Sequence, residues 1–391
     1  MCTNARIALH SLAALAAAWL LAPAAAPAQS DSSATVPPAG ALPPPSQAPP
    51  ATQPSPASGN LLNPNVSVIG WFQAEAGRSV DRDRSEIFML REAEIGLQAA
   101  VDPYSRADFF IAVSPEEGAS LEEGYLTILS LPAGLSAKLG KFRNNLGRFN
   151  RIHPGETPFA DRPLAAEEFF GEEGLATEGV SASWLIPNPV ALYLNWDVEA
   201  TRRPDEGGLA IHGGGSRDLL YTTRLGTFID LGEAANLTLG ASYANGPAGY
   251  ADPAPGDSTD LLRAGVWCGD ITFRWKNPRR AIYRSLVLSA EAMTRSAETS
   301  GGRTDRARGG FAYVDWQAAR RWHAGGRYDW TDLGATSERG DPLHTGGLVF
   351  LTFTPSEFSL LSLQARYRET DGPAYFLKST FSIGPHGAHP F

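Results

Sequence analysis

Several stretches of the chain alternate apolar and polar residues at a period of two. Val190, Leu192, Leu194, Trp196 and Val198 alternate with Tyr193, Asn195, Asp197 and Glu199. Leu361, Leu363, Ala365 and Tyr367 alternate with Ser362, Gln364, Arg366 and Arg368. The same holds for Trp322, Ala324, Gly326, Tyr328 and Trp330 against His323, Gly325, Arg327 and Asp329. Leu286, Leu288, Ala290 and Ala292 do so against Ser289, Glu291 and Met293. Strands with one apolar and one polar face produce this pattern. It fits a soluble sandwich with its apolar face inside, and equally a membrane barrel with its apolar face outside.

The connections separate the two. Strands are expected near 65–76, 87–101, 104–113, 121–131, 134–143, 179–186, 189–200 and 218–230, then near 235–244, 260–276, 281–296, 307–318, 321–331, 344–354, 358–369 and 374–384. Every second connection is tight and carries turn residues, as in Asp102-Pro103, Pro132-Ala133-Gly134, Asn277-Pro278 and Pro355-Ser356-Glu357. The connections between them, such as 77–86, 144–178, 201–217 and 245–259, are mostly longer and polar. Short turns at one end and long loops at the other characterise outer-membrane barrels, whose strand number is even. The expected fold is therefore an all-β transmembrane antiparallel β-barrel of about sixteen strands over 65–391.

Aromatic positions agree with lipid outside. Trp71, Trp184, Trp196, Trp267, Trp275, Trp316, Trp322 and Trp330 are expected on the outer face, many near strand ends where a girdle would lie. Tryptophans of a sandwich core are the alternative. Phe391 supplies a terminal aromatic, although Pro385, Gly387 and Pro390 interrupt the approach to it.

The N-terminal region sets the compartment. Arg6, the apolar run Ile7–Leu21 and Ala26-Pro27-Ala28 read as a cleaved signal peptide over 1–28. The run is too short for a membrane anchor, which needs about 20 apolar residues. Residues 29–64, rich in Pro, Ala, Ser and Gln, read as a periplasmic linker. Cleavage would leave Cys268 without a partner for a disulfide. The net charge of −9 argues against nucleic acid as a partner.

One connection stands apart. Lys141–Gly174 has neither strand nor helix period and mixes arginines, carboxylates, a histidine and three prolines. Long structureless loops in compact domains are usually functional or disordered. A sixteen-stranded barrel encloses a channel too wide to discriminate among small solutes. Loop 144–178 is therefore read as folding inward to narrow it, a loop lying over the mouth being the alternative.

The stretches EEGYLTILSLPAGLSAKLGKFRNNLGRFNRIHP, PFADRPL and GEEGLATEGVSASWLIP resemble the phosphate-selective porin family of Gram-negative outer membranes, most clearly over 85–200. The resemblance implies a sixteen-stranded barrel, often trimeric, with an inward third loop and a basic lumen. The chain departs from that family's lysine cluster and arginine ladder. Its loop sets Arg148, Arg151, Arg162 and His153 against Glu156, Asp161, Glu167, Glu168, Glu172 and Glu173. Lumen-phase positions likewise mix Arg106, Lys138, Arg224, Arg274, Arg327, Arg366, Arg368 and Lys378 with Glu92, Glu94, Asp108, Glu123, Asp197, Asp270, Glu291, Asp315 and Asp329. Phosphate specificity is accordingly not carried over.

Lys138, Lys141, Arg143, Arg148, Arg151, His153, Arg162, Arg224, Arg327, Arg366 and Arg368 are the candidate pore or constriction residues. Lys141, Arg143, Arg148 and Arg151 are the foremost for an anionic solute, because Arg offers carboxylate or phosphate a two-pronged donor. Pairing with the loop's own acids is the alternative. There is no GxSxG, HExxH or phosphate-binding glycine loop, so no cofactor is expected. His386 and His389 in the Gly/Pro-rich tail are read as solvated rather than metal ligands. The expectation is an outer-membrane porin passing small hydrophilic, anionic solutes passively, surrounded by lipid and lipopolysaccharide, as a homotrimer. Two alternatives stay open: a non-conducting barrel tethered through its Pro-rich segment, and a barrel enzyme using His323.

Overall fold

The computed structural model describes residues 64–77, 87–116, 118–190, 192–204, 208, 218–250, 261–279, 283–299, 302–334 and 343–384. The expected signal peptide, all but the end of the expected linker, the two tail histidines and Phe391 lie outside the described residues.

The first strands are β1 (Asn65–Gly77), β2 (Phe88–Asp102), β3 (Ser105–Ser114) and β4 (Gly118–Leu131). They are followed by β5 (Leu135–Arg143), β6 (Ala176–Leu185), β7 (Tyr193–Arg202) and β8 (Leu219–Asp230). Next come β9 (Ala235–Tyr250), β10 (Leu261–Lys276), β11 (Ser285–Glu298) and β12 (Thr304–Ala319). The wall ends with β13 (Trp322–Asp332), β14 (Leu343–Ser356), β15 (Ser359–Arg368) and β16 (Gly372–Ile383). Each strand pairs antiparallel with its sequence neighbours, and β1 pairs with β16 to close a sixteen-stranded barrel. Closure leaves no strand edge unpaired, as spanning hydrocarbon requires. Connections of two to four residues follow β2, β4, β8, β12 and β14, but those after β3 and β15, expected on the long-loop side, are three residues as well. In one of them Ala133 and Gly134 both take positive φ, which reverses the chain tightly between β4 and β5.

The outer face is apolar. Trp196, Trp267, Trp316, Trp322, Tyr328, Leu361 and Leu363 are all exposed on the isolated chain. Trp71 differs from the expectation. It is buried and inward, with Arg91 and Lys378 over its ring at 5.6 and 4.6 Å. Val66–Phe72 is apolar at nearly every position, so period two does not reveal which face each residue takes. Val190 and Leu192 also depart from their expected strand. Asn188 donates to Ile186 O and Leu192 O and accepts from Leu192 N, which holds them in a turn before β7.

The lumen is not lined by polar residues throughout. Phe311 and Tyr313 of β12 and Leu348 and Phe350 of β14 face inward and join a buried apolar cluster with residues of the β5–β6 connection. The barrel thus carries a packed core inside its wall, where the sequence pattern suggested only a wet lumen.

Candidate functional site

The β5–β6 connection runs through the interior of the barrel. Asn144 and Asn145 donate to Glu199 on β7. Gly147 N donates to Ser242 Oγ on β9 at 2.9 Å. Arg148 N and Phe149 N both donate to Glu291 Oε2 on β11 at 3.0 Å. Gly147 takes φ +72, and a Cβ there would overlap the Glu291 carboxylate, so the close approach and the positive φ both require glycine. Phe149 then packs edge-on against Phe311, with ring centroids 5.3 Å apart.

The chain next crosses to the opposite wall. His153 Nδ1 lies 2.7 Å from Glu122 and 2.8 Å from Glu94, and its Nε2 lies 2.8 Å from Glu123. Arg143 adds an ion pair to Glu122 at 2.8 Å. Successive residues of a regular strand face opposite sides. Here the β3–β4 register shifts between Phe110 and Ile111, which leaves Glu122 as the extra residue of a bulge. Glu122 and Glu123 can therefore converge on one imidazole. Burial and the nearby Arg143 both act against charge on His153, but the hydrogen bonds to Glu122, Glu123 and Glu94 outweigh them and hold its pKa well above the ordinary value.

Residues 157–161 return along β16 and β15. Lys378 Nζ donates to Thr157 O at 2.7 Å and to Phe159 O at 2.9 Å. Gln364 accepts from Ala160 N and donates to Pro158 O. Phe159 is fully buried between Tyr313 and Phe350 and carries the Arg327 guanidinium 4.5 Å from its ring centre. Asp161 receives Arg327 on one oxygen at 3.0 Å, and Arg366 and Arg368 on the other at 2.9 and 3.0 Å. Burial would raise its pKa, but the three guanidiniums prevail and hold the carboxyl below the usual carboxylate range. A short helix, α1 (Leu164–Phe170), then buries Ala165, Ala166 and Phe169, and its Glu167 bonds Arg368 at 2.8 Å. Asn150, fully buried, donates to Asn144 O and Leu175 O and accepts from Leu175 N, joining the start of the connection to its end.

The candidate residues fall into separate groups. Arg327, Arg366 and Arg368 converge on Asp161, while Arg143 and His153 converge on Glu122 and Glu123. Arg148 Nη1 donates to Thr272 Oγ1. Arg162 is buried over the Phe149 ring, its three nitrogens bonded to none of the described residues. Burial, reinforced by Arg143, lowers its pKa to about 10. Lys141 shares the outward phase of the exposed Leu139 and donates to Leu121 O. Lys138, Arg151 and Arg224 line an internal cavity of about 750 Å³ together with Tyr125, Asp197 and Glu199. Arg224 is held by Asp270 at 2.7 Å, whereas Lys138 and Arg151 have no ion-pair partner within 4.0 Å among the described residues. Sequence reasoning did not single out Glu122, Asn150, Glu199 or Gln364. Only the bulge at Glu122 brings that side chain inward, and no local pattern announces a bulge.

No protein-family model matches this chain. An uncharacterized protein of Aquifex aeolicus is 31% identical over 339 residues, an alignment covering 78% of this chain and 70% of that protein. The chain belongs to that protein's family. Among solved structures, Pseudomonas putida OprB superposes with a TM-score of 0.55 at 10% identity, covering 82% of this chain and 94% of that one. Salmonella typhi OmpF gives 0.53 at 9% identity, covering 82% and 97%. The anion-selective porin of Comamonas acidovorans gives 0.51 at 11% identity, covering 82% and 98%. These likenesses establish a shared fold, the sixteen-stranded barrel of outer-membrane porins.

Proposed function

We propose that this family member is an outer-membrane porin through which small hydrophilic, anionic solutes diffuse passively, with no chemical step. The observation that carries the reading is the path of the 144–175 connection. It fills one side of the lumen with a packed apolar core against β12 and β14 and leaves a polar cavity on the β4–β9 side. A wide barrel becomes selective only when something narrows it, and a loop fixed to the wall at many points does so without flexing. The exposed apolar outer wall fits a lipid surround, and the porin fold of the structural relatives fits a Gram-negative outer membrane.

Arg151 and Lys138 are the cations in this cavity that remain available to a solute. Arg327, Arg366 and Arg368 are engaged by Asp161, so the arginines on β13 and β15 serve the loop and phosphate selectivity forms no part of the proposal. Assembly as a homotrimer belongs to the same reading and is checked by chemical cross-linking in native membranes.

Single-channel recording of the refolded chain in a planar bilayer under a KCl gradient tests the function. Discrete steps with an anion-side reversal potential are expected. In R151A the reversal potential should move toward the cation side. Silence from a protein that shows heat-modifiable barrel mobility would overturn diffusion and favour a non-conducting structural barrel.

A further inference from the structure

Where the 144–175 connection returns to β6, it meets a concentration of carboxylates. Glu92 of β2, Glu122 of β4 and Glu173 of the connection place carboxylate oxygens within 4.8 Å of one another. Glu94, Glu122 and His153 form an overlapping group within the same limit. The second group is satisfied through His153, whose ring nitrogens both meet carboxylates. Glu122 is common to both groups, and His153 and Arg143 both meet its Oε2, which leaves its Oε1 for the first group.

Glu92 is different. It is only 8% exposed, yet it makes no hydrogen bond or ion pair with any described residue. Lys378, an inward cation on β16, donates its ammonium to Thr157 O and Phe159 O. A buried carboxylate facing two others is costly unless a cation or proton lies between them. Glu173, by contrast, is exposed.

We infer that Glu92, Glu122 and Glu173 form a divalent-cation site that ties the returning end of the internal loop to the wall strands β2 and β4. The donors are all carboxylate oxygens, which selects a hard cation. Calcium is the ion assigned, since it accepts irregular carboxylate and water ligands, whereas magnesium demands near-octahedral geometry and sheds water reluctantly. The histidine group would suit a softer metal, but its nitrogens are occupied. The site adjoins the solute cavity, since Arg143 lines that cavity and pairs with Glu122, but calcium binding is read without conduction and so is tested apart from it.

The test is calorimetric titration of calcium chloride into the refolded full chain after removal of metal by EDTA. One saturable site per chain is expected, weakened at least tenfold in both E92Q and E173Q. E178Q, an exposed outer-face carboxylate, should bind calcium as the parent does. E173Q changes an exposed loop side chain, so it guards against a wall variant that fails to fold. Absence of saturable binding, or binding unchanged in both variants, would overturn the site. Magnesium binding as tightly as calcium would overturn the choice of ion.

Discussion

Asp161 is the residue on which most of the loop's charge converges. Three buried guanidiniums point at one carboxylate, so removing it takes a shared partner from all three, although Arg327 keeps Asp329 and Arg368 keeps Glu167. Breaking a buried pair in this way costs about 3–5 kcal/mol. In D161N the unfolding free energy of the refolded protein, read from urea titration, should fall by up to that amount with the slope unchanged. The pH dependence follows from the depressed carboxyl. A group whose folded pKa lies below its unfolded value of about 3.9 stabilises fully above that value, and the contribution is lost as pH falls through the folded value. Acid titration of stability should therefore lose part of its low-pH limb in D161N. An identical limb in both proteins would assign the acid sensitivity to other carboxylates. Legibility at this scale was uneven. The lumen-facing phase of Arg327, Arg366 and Arg368 could be read from their strands, but their common target could not, because Asp161 sits in a segment with no period at all.

At the scale of elements, the 144–175 connection behaves as an interior layer rather than a surface loop. Its hydrophobic residues Phe149, Phe159, Phe169 and Phe170 are nearly or fully buried, and its polar backbone is answered by Glu199, Ser242, Glu291, Gln364 and Lys378 from the wall. The wall does not depend on it in return, since every strand is hydrogen-bonded to both neighbours through its own backbone. Replacing residues 149–170 by a short Gly/Ser bridge should leave a heat-modifiable barrel that conducts several-fold more than the parent, measured in the same bilayer. Unchanged conductance would show that the ions pass where the loop does not reach. The existence and place of this element were plain from the sequence as a long aperiodic gap in a regular series. Its course was not, because it is fixed by pairings such as Asp161 with Arg366 that join distant parts of the chain.

For the whole molecule, the two faces of one strand carry opposite demands. Leu363, near the middle of β15, is 59% exposed on the outer wall, while its neighbour Ser362 is fully buried inside and bonds Thr352. An arginine on the lipid face near the midplane of a barrel costs about 2–4 kcal/mol. L363R should lower unfolding stability in lipid vesicles by that amount, and far less in urea-compatible detergent micelles, where the arginine can reach water. An equal effect in both would mean that the residue does not face hydrocarbon.

The sequence by itself determined the class of fold, the strand number and, for most strands, which face meets lipid. Those features rest on period two and on turn residues, both of which are local and repeat along the chain. Only the tertiary structure decided what fills the barrel. The inward turn of Trp71, the convergence of Glu122 and Glu123 on His153 at a bulge, and the path of the loop through an apolar interior each depend on residues far apart in the chain. Such contacts are set by closure of the wall, and closure is a property of all sixteen strands together.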